Sequence, residues 1–98
     1  FLRNPHYDTA LKALTGLDPA VGAYVEQDEG FNDFYARLTG LVTPLLPRYL
    51  AEGKSYLTIG IGCTGGKHRS VHVAQKLGAF LASKGYTVTT RHRDIASN

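Results

Sequence analysis

A chain of 98 residues is the size of one domain and can bury only about 60–65% of its unfolded surface. Its composition, 43% hydrophobic with six tyrosines, four phenylalanines and one cysteine, is ordinary for a globular domain and excludes an internal disulfide. No apolar run is long enough for a membrane span and no signal-peptide pattern is present, so a reducing cytoplasm is the expected compartment and no membrane partner is expected. The charge is uneven. Residues 1–54 hold five Lys/Arg and seven Asp/Glu, a net of −2, whereas residues 55–98 hold six Lys/Arg and one acid, a net of +5. The second half is therefore expected to face something anionic. A solvated helix face bearing Lys76 and Lys84 accounts for only part of that excess.

Phe1-Leu2-Arg3 reads as the stub of a strand, broken by Asn4-Pro5 because proline pushes its predecessor out of helical conformation. His6 and Tyr7 fall in the loop that follows. Asp8 or Thr9 can cap a short helical turn through Leu14, ended by Gly16. Asp18-Pro19 is a helix start, a capping carboxylate followed by proline at the first position. Ala20, Val21, Tyr24 and Val25 form the apolar face of that helix up to about Gln27. The link Gln27-Asp28-Glu29-Gly30 has no assigned function.

Phe31 to Tyr49 is a second helical pattern. Phe34, Leu38, Leu41, Val42, Leu45 and Tyr49 keep the spacing of one buried stripe, with Asn32 or Asp33 as the cap. These aromatics are core rather than a stacking platform for bases. Pro44 predicts a bend near Thr43 or an end before Pro47. Ala51-Glu52-Gly53-Lys54 turns into a β-branched and aromatic run, residues 56–61, expected to be a buried strand. After a glycine-rich loop, Val71, Ala74, Leu77, Gly78 and Leu81 line one face of a helix that stops at Ser83-Lys84-Gly85. His72 lies on the opposite face and is expected in solvent. Residues 87–91 read as another strand. A strand, helix and strand at this spacing predict a parallel pair with a right-handed crossover. The expected fold is therefore a small compact α/β domain over residues 1–98, with a short, mainly parallel sheet flanked by helices. No repeat or low-complexity tract interrupts it.

The chemistry concentrates where the central strand meets the helix, in Gly62-Cys63-Thr64-Gly65-Gly66-Lys67-His68-Arg69-Ser70. The first amides of a helix have no internal partner and carry partial positive charge, so they attract anions. Gly62, Gly65 and Gly66 can take positive φ and let successive amides curl around one group. Thr64, Ser70 and Cys63 add directed polar groups, and Lys67, His68 and Arg69 add charge. Together these residues read as a cradle for a phosphate or phosphosugar. A structural turn whose glycines serve packing is the plain alternative. A Walker A loop does not fit, because Ile61 stands where its first glycine is required and His68 follows Lys67.

Cys63, five residues, Arg69 and Ser70 also match the phosphate loop of cysteine-dependent phosphatases, which keeps an enzyme reading open. Against it, Lys67 and His68 are bulky where such loops place small residues. No aspartate stands in a recognisable acid motif, although Asp94 lies near the right edge. Arg91-His92-Arg93 follows the last strand at the edge where open α/β sheets bind ligands. These three can add to the cradle's field or face RNA, and a plain basic strand end fits them equally well.

Tyr56-Leu57-Thr58 through Gly62-Cys63-Thr64-Gly65-Gly66-Lys67-His68-Arg69-Ser70-Val71, with Arg91-His92-Arg93 downstream, closely resembles the C-terminal domain of the RapZ/YvcJ family of bacterial RNase adapter proteins. Phe1-Leu2-Arg3-Asn4-Pro5-His6-Tyr7 and Leu14-Thr15-Gly16-Leu17-Asp18 resemble its upstream end. The resemblance implies a non-catalytic, regulatory adapter that senses glucosamine-6-phosphate or a nucleotide-activated amino sugar. It further implies association as a homodimer or higher homo-oligomer, and binding of small RNA for presentation to an endoribonuclease or another regulatory protein. It makes His6 a candidate ligand contact alongside the Cys63–Ser70 loop, and implies no cofactor or metal. The family's N-terminal P-loop nucleotide-binding domain has no counterpart in this chain, and the first strand of the C-terminal domain is expected to be missing. The tail Asp94-Ile95-Ala96-Ser97-Asn98 lacks the basic residues of RNA-binding members, which predicts fewer phosphate contacts and weaker RNA binding.

Overall fold

The computed structural model describes residues 1–53, 57–63 and 66–93. Asn4 accepts the amide of His6 and opens a 3-10 turn, Pro5–Tyr7. Asp8 then caps the next turn as expected, its carboxylate accepting the Ala10 amide at 2.9 Å. Helix α1, Pro19–Glu26, starts on Asp18, which accepts the Ala20 amide at 3.0 Å.

Helix α2, Phe31–Ala51, begins at the expected residue, but its N-cap is Gly30, and the expected caps Asn32 and Asp33 both lie within its first turn. Asp28 folds the chain into it by accepting the Gly30 amide at 2.8 Å. The helix does not end before Pro47 but runs through both Pro44 and Pro47. Each proline removes the partner of a carbonyl four residues back. Those carbonyls belong to Gly40 and Thr43, which are exposed, so water can meet them.

Helix α3, Arg69–Ser83, packs against α1 and contributes side chains to both apolar clusters. Val71, Val73, Leu77 and Leu81 are all buried, a wider arc than one stripe. Val73 joins Leu2, Val21, Val25 and Phe31 in one apolar cluster. Leu77 and Leu81 join Val42 in a second. Leu38 and Ile61 pack against both clusters. Gly85, with φ of +96°, ends the helix as its sequence predicts.

The expected parallel sheet is overturned. Among the described residues there is no strand, and no backbone hydrogen bond joins residues 57–62 to residues 86–91. The two segments line one cleft together with α2 and α3. Leu57, Ile59 and Val88 remain 41%, 39% and 37% exposed, so among the described residues of the β-branched run only Ile61 packs against the core. Strand propensity expresses the fit of a side chain to a pleated, half-buried surface, and without a neighbour in hydrogen-bonding range it builds no ladder. Tyr56 lies outside the described residues.

The strand stub at the amino end is corrected too. Leu2 is buried in the first cluster. Phe1 packs edge-on to Phe34, and Arg3 sits over the Tyr24 ring while donating to Gln27 at 2.7 Å. The segment docks through side chains rather than through a ladder. No helix of the described residues is long and apolar enough to cross a membrane.

Candidate functional site

The loop before α3 is built around Cys63. Its Sγ accepts the Ser70 amide at 3.3 Å, and thiol and Ser70 hydroxyl are also 3.3 Å apart. A helix-start amide is thus turned toward a soft, ionisable group, and the Ser70 side chain beside it is buried. Burial pushes the Cys63 thiol up. The Ser70 hydroxyl and amide, the Gly66 amide and the charge of Arg69 outweigh that and leave it below the ordinary 9.0. Gly66 takes φ of +62° and closes the loop by donating its amide to the Cys63 carbonyl at 3.2 Å. Only glycine adopts that conformation at little cost. Gly62 is not among the glycines with positive φ. Thr64 and Gly65 lie outside the described residues.

The three basic residues of the loop do not point one way. Lys67 Nζ donates to the Lys12 carbonyl at 3.4 Å, and the buried His68 ring donates Nε2–H to the same carbonyl at 3.2 Å. Both are turned onto the segment that precedes α1. Gly16 completes that junction. Its amide donates to the Lys67 carbonyl at 2.9 Å, and a Cβ on it would come within 2.2 Å of the His68 carbonyl oxygen. Arg69 reaches toward the amino end, Nη1 to the Leu2 carbonyl at 3.4 Å. Its Nε is buried with no hydrogen-bond partner among the described residues. A buried guanidinium donor left unpaired costs free energy unless a ligand or water meets it.

Cys63, Gly66 and Ser70 open onto the cleft lined also by Arg91, His92 and Arg93, with a volume of about 1010 Å³. The structure therefore brings the loop and the second basic group into one concavity. Two contacts lay the segment 86–93 along α3. A Cβ on Gly78 would be 2.8 Å from Thr90 Oγ1, so the helix is bare where the segment crosses it. Further along, His92 Nε2 meets Gln75 Oε1 at 3.0 Å. His6 is not brought into this cleft. It is exposed beside Tyr7, on the segment that Arg69, Lys67 and His68 tie down.

A second cluster carries no assignment from the sequence. His72, expected in solvent, has only 16% of its side chain exposed, and its Nε2 lies 2.6 Å from Glu26 Oε2. Lys76 Nζ shares that oxygen at 3.1 Å and sits over the Phe31 and Tyr35 rings. Burial pushes the Glu26 carboxyl up, but hydrogen bonds from His72 and Lys76, and their charge, hold it below the ordinary 4.5. Tyr35 is raised above 10.0 by burial and by the Glu26 charge, and its hydroxyl donates to the Lys76 carbonyl at 3.0 Å. The legible signal is the spacing of His72 and Lys76, four residues apart on one helix and able to share one carboxylate. Glycine at position 22, inside a short helix, is the second sign.

Chemically, the cleft offers helix-start amides, hydroxyl, thiol and guanidinium groups. Among its described lining residues there is no Asp or Glu to protonate a leaving group, and Asp94 lies outside the described residues. No group of three or more His, Cys, Asp or Glu suited to a metal ion occurs among the described residues.

Comparison with known proteins matches residues 1–96 to the family described as the RapZ C-terminal domain. A nucleotide-binding protein of Rhodospirillum centenum is 57% identical over 95 residues, covering 97% of this chain and 29% of its own length. One of Symbiobacterium thermophilum is 57% identical over 95 residues, covering 97% and 32%. Another, of Sphingopyxis alaskensis, is 54% identical over 97 residues, covering 99% and 31%. The chain thus spans just under a third of each of these relatives.

Proposed function

The chain belongs to the RapZ C-terminal domain family, and from that we propose that it is a non-catalytic regulatory module whose cleft binds a small anionic sugar. Its ligand is an amino-sugar phosphate such as glucosamine-6-phosphate, or a nucleotide-activated amino sugar. The observation that carries this reading is the convergence of the α3 loop and Arg91–Arg93 on one cleft. A bound phosphate would take the Ser70 end of the cleft, beside the start of α3, with Arg91 and Arg93 of the same cleft supplying charge. Thr64 and the Gly65 amide complete the loop by sequence. Lys67 and His68 act by holding the loop on residue 12, and His6, outside the cleft, takes no part in it.

Occupancy then biases a partner, a small RNA or a regulatory protein such as an endoribonuclease, in the cytoplasm. Such coupling is necessarily reciprocal. Arg91, His92 and Arg93 are the basic residues that would face RNA phosphates. Leu41 and Leu45, exposed on α2, support self-association as a homodimer or larger homo-oligomer. The relatives' name, nucleotide-binding protein, belongs to chains about three times longer, and nucleotide chemistry comes to this chain only as a candidate ligand class.

Calorimetric titration with glucosamine-6-phosphate and with inorganic phosphate tests the reading. The sugar phosphate is expected to bind below millimolar, and Ser70→Ala to weaken it. Absence of binding to either would leave the loop a structural turn. The competing reading, a cysteine phosphatase using Cys63 and Arg69, predicts turnover of an aryl phosphate that vanishes in Cys63→Ser. That result would reverse the order of the two.

A further inference from the structure

We infer that the cleft takes an elongated ligand of the nucleoside-diphosphate class, its phosphates beside Ser70 and Arg91 and its flat ring against Leu50 and Tyr86. This rests on the anionic-sugar reading above and chooses within it. The choice follows from how the cleft is laid out along α3.

The helix floor runs from Ser70 to Leu81, eleven residue steps, or roughly 16 Å at about 1.5 Å per residue. One end is polar: Cys63 Sγ meets Ser70 there. Residues 86–92 run back along the helix. The Tyr86 amide donates to the Leu81 carbonyl, Val88 and Thr90 lie against Gly78, and His92 meets Gln75. Arg91, between Thr90 at Gly78 and His92 at Gln75, therefore stands about five to eight helix residues from Ser70, roughly 7–12 Å along the axis. The polar and basic groups thus stand at two positions along the floor, its start and its middle, rather than at one.

The far half is of another kind. Leu46 and Tyr86 pack there against Leu77 and Leu81, and Tyr49, Leu50 and Leu57 add apolar surface to the same cleft, Leu50 and Leu57 being exposed. A hexose ring with one phosphate is polar throughout and well short of 16 Å, so it would leave this end wet. The volume of about 1010 Å³ stands at the top of the ~300–1,000 Å³ range of small-molecule sites. Between the two ends the walls are backbone without mutual hydrogen bonds, residues 57–62 facing residues 86–91. Those amides and carbonyls suit the hydroxyls of a pentose or hexose.

Titration of the whole chain with uridine diphosphate, uridine diphosphate N-acetylglucosamine and glucosamine-6-phosphate decides it. The two diphosphates are expected to bind at least about tenfold tighter than the monophosphate. Leu50→Asp, at an exposed position that the fold does not need, should cut that advantage to near parity, and Tyr86→Ala should do the same. Glucosamine-6-phosphate binding as tightly as either diphosphate would overturn the inference and leave the simpler sugar-phosphate site standing. No binding of any of the three to a chain with helical circular dichroism would overturn both.

Discussion

Gly22 and His72 meet where α1 crosses α3: a Cβ built on Gly22 would stand 2.7 Å from the imidazole. The bare backbone lets the ring lie close enough for its Nε2 to reach Glu26 at 2.6 Å. Gly22→Ala therefore sets two terms against each other. The alanine gains about 1 kcal/mol of helix propensity, while overpacking costs about 1–3 kcal/mol and threatens the ion pair. Net destabilisation is expected, read as a lower urea midpoint. A midpoint equal to or above that of the parent would show that the contact yields freely.

The same cluster sets a pH dependence. Glu26 is held below its ordinary value of 4.5 in the folded chain, so its stabilising effect is fully present above pH 4.5. It is lost as pH falls through the lower, folded value. Glu26→Gln should remove that portion of the acid loss, flattening the stability curve below about pH 4.5 and lowering stability above it. An unchanged acid limb would mean that the pair with His72 and Lys76 contributes nothing in solution.

Cys63 reports on the loop. With its thiol held below 9.0, alkylation by iodoacetamide should have a pH midpoint below that of a free cysteine. Ser70→Ala removes the hydroxyl nearest the sulfur and should move the midpoint upward. A parent midpoint at or above 9.0 would say that burial outweighs the hydrogen bonds.

Arg69 carries a buried Nε without a partner among the described residues and a long contact from Nη1 to the Leu2 carbonyl. A charge-assisted hydrogen bond is worth about 1.5–3 kcal/mol, so Arg69→Ala is expected to weaken glucosamine-6-phosphate tenfold or more. Arg69→Lys keeps the charge but not the planar fork, and should recover only part. Parent-like affinity in Arg69→Ala would remove the residue from the site.

Gly78 positions the basic segment. Replacing it with leucine would drive side-chain atoms into Thr90, only 2.8 Å from where the first carbon would sit. Helix α3 should persist by circular dichroism while ligand affinity falls, because Arg91 is lifted off the cleft. Retained affinity would show that Arg91–Arg93 act independently of their path along α3.

Local chemistry is legible in the sequence by itself. Asp18-Pro19 starts α1, Gly85 stops α3, and Asp8 caps a turn, because each depends on hydrogen bonds and dihedral limits within a few residues. The family, too, is written in the sequence, and the resemblance is legible in Phe1–Tyr7, in the motif from Gly62 to Val71 and in Arg91-His92-Arg93. Of the loop, the sequence determined that a thiol, a hydroxyl and cations would stand at a helix start.

Tertiary structure decided the rest. Whether residues 57–62 and 87–91 pair is a question of distance between segments some thirty residues apart, and β-branched composition cannot answer it. The orientation of Lys67 and His68 toward residue 12, and of Arg69 toward Leu2, depends on how the amino-terminal segment docks. His72 reads as a solvent residue because periodicity assigns a helix one buried face, and α3 has neighbours on more than one side. Proline spacing likewise foretells a break in α2 that does not occur before Pro47, since the carbonyls it orphans face water. Sequence patterns encode what a residue prefers alone, and packing decides which of those preferences can be met together.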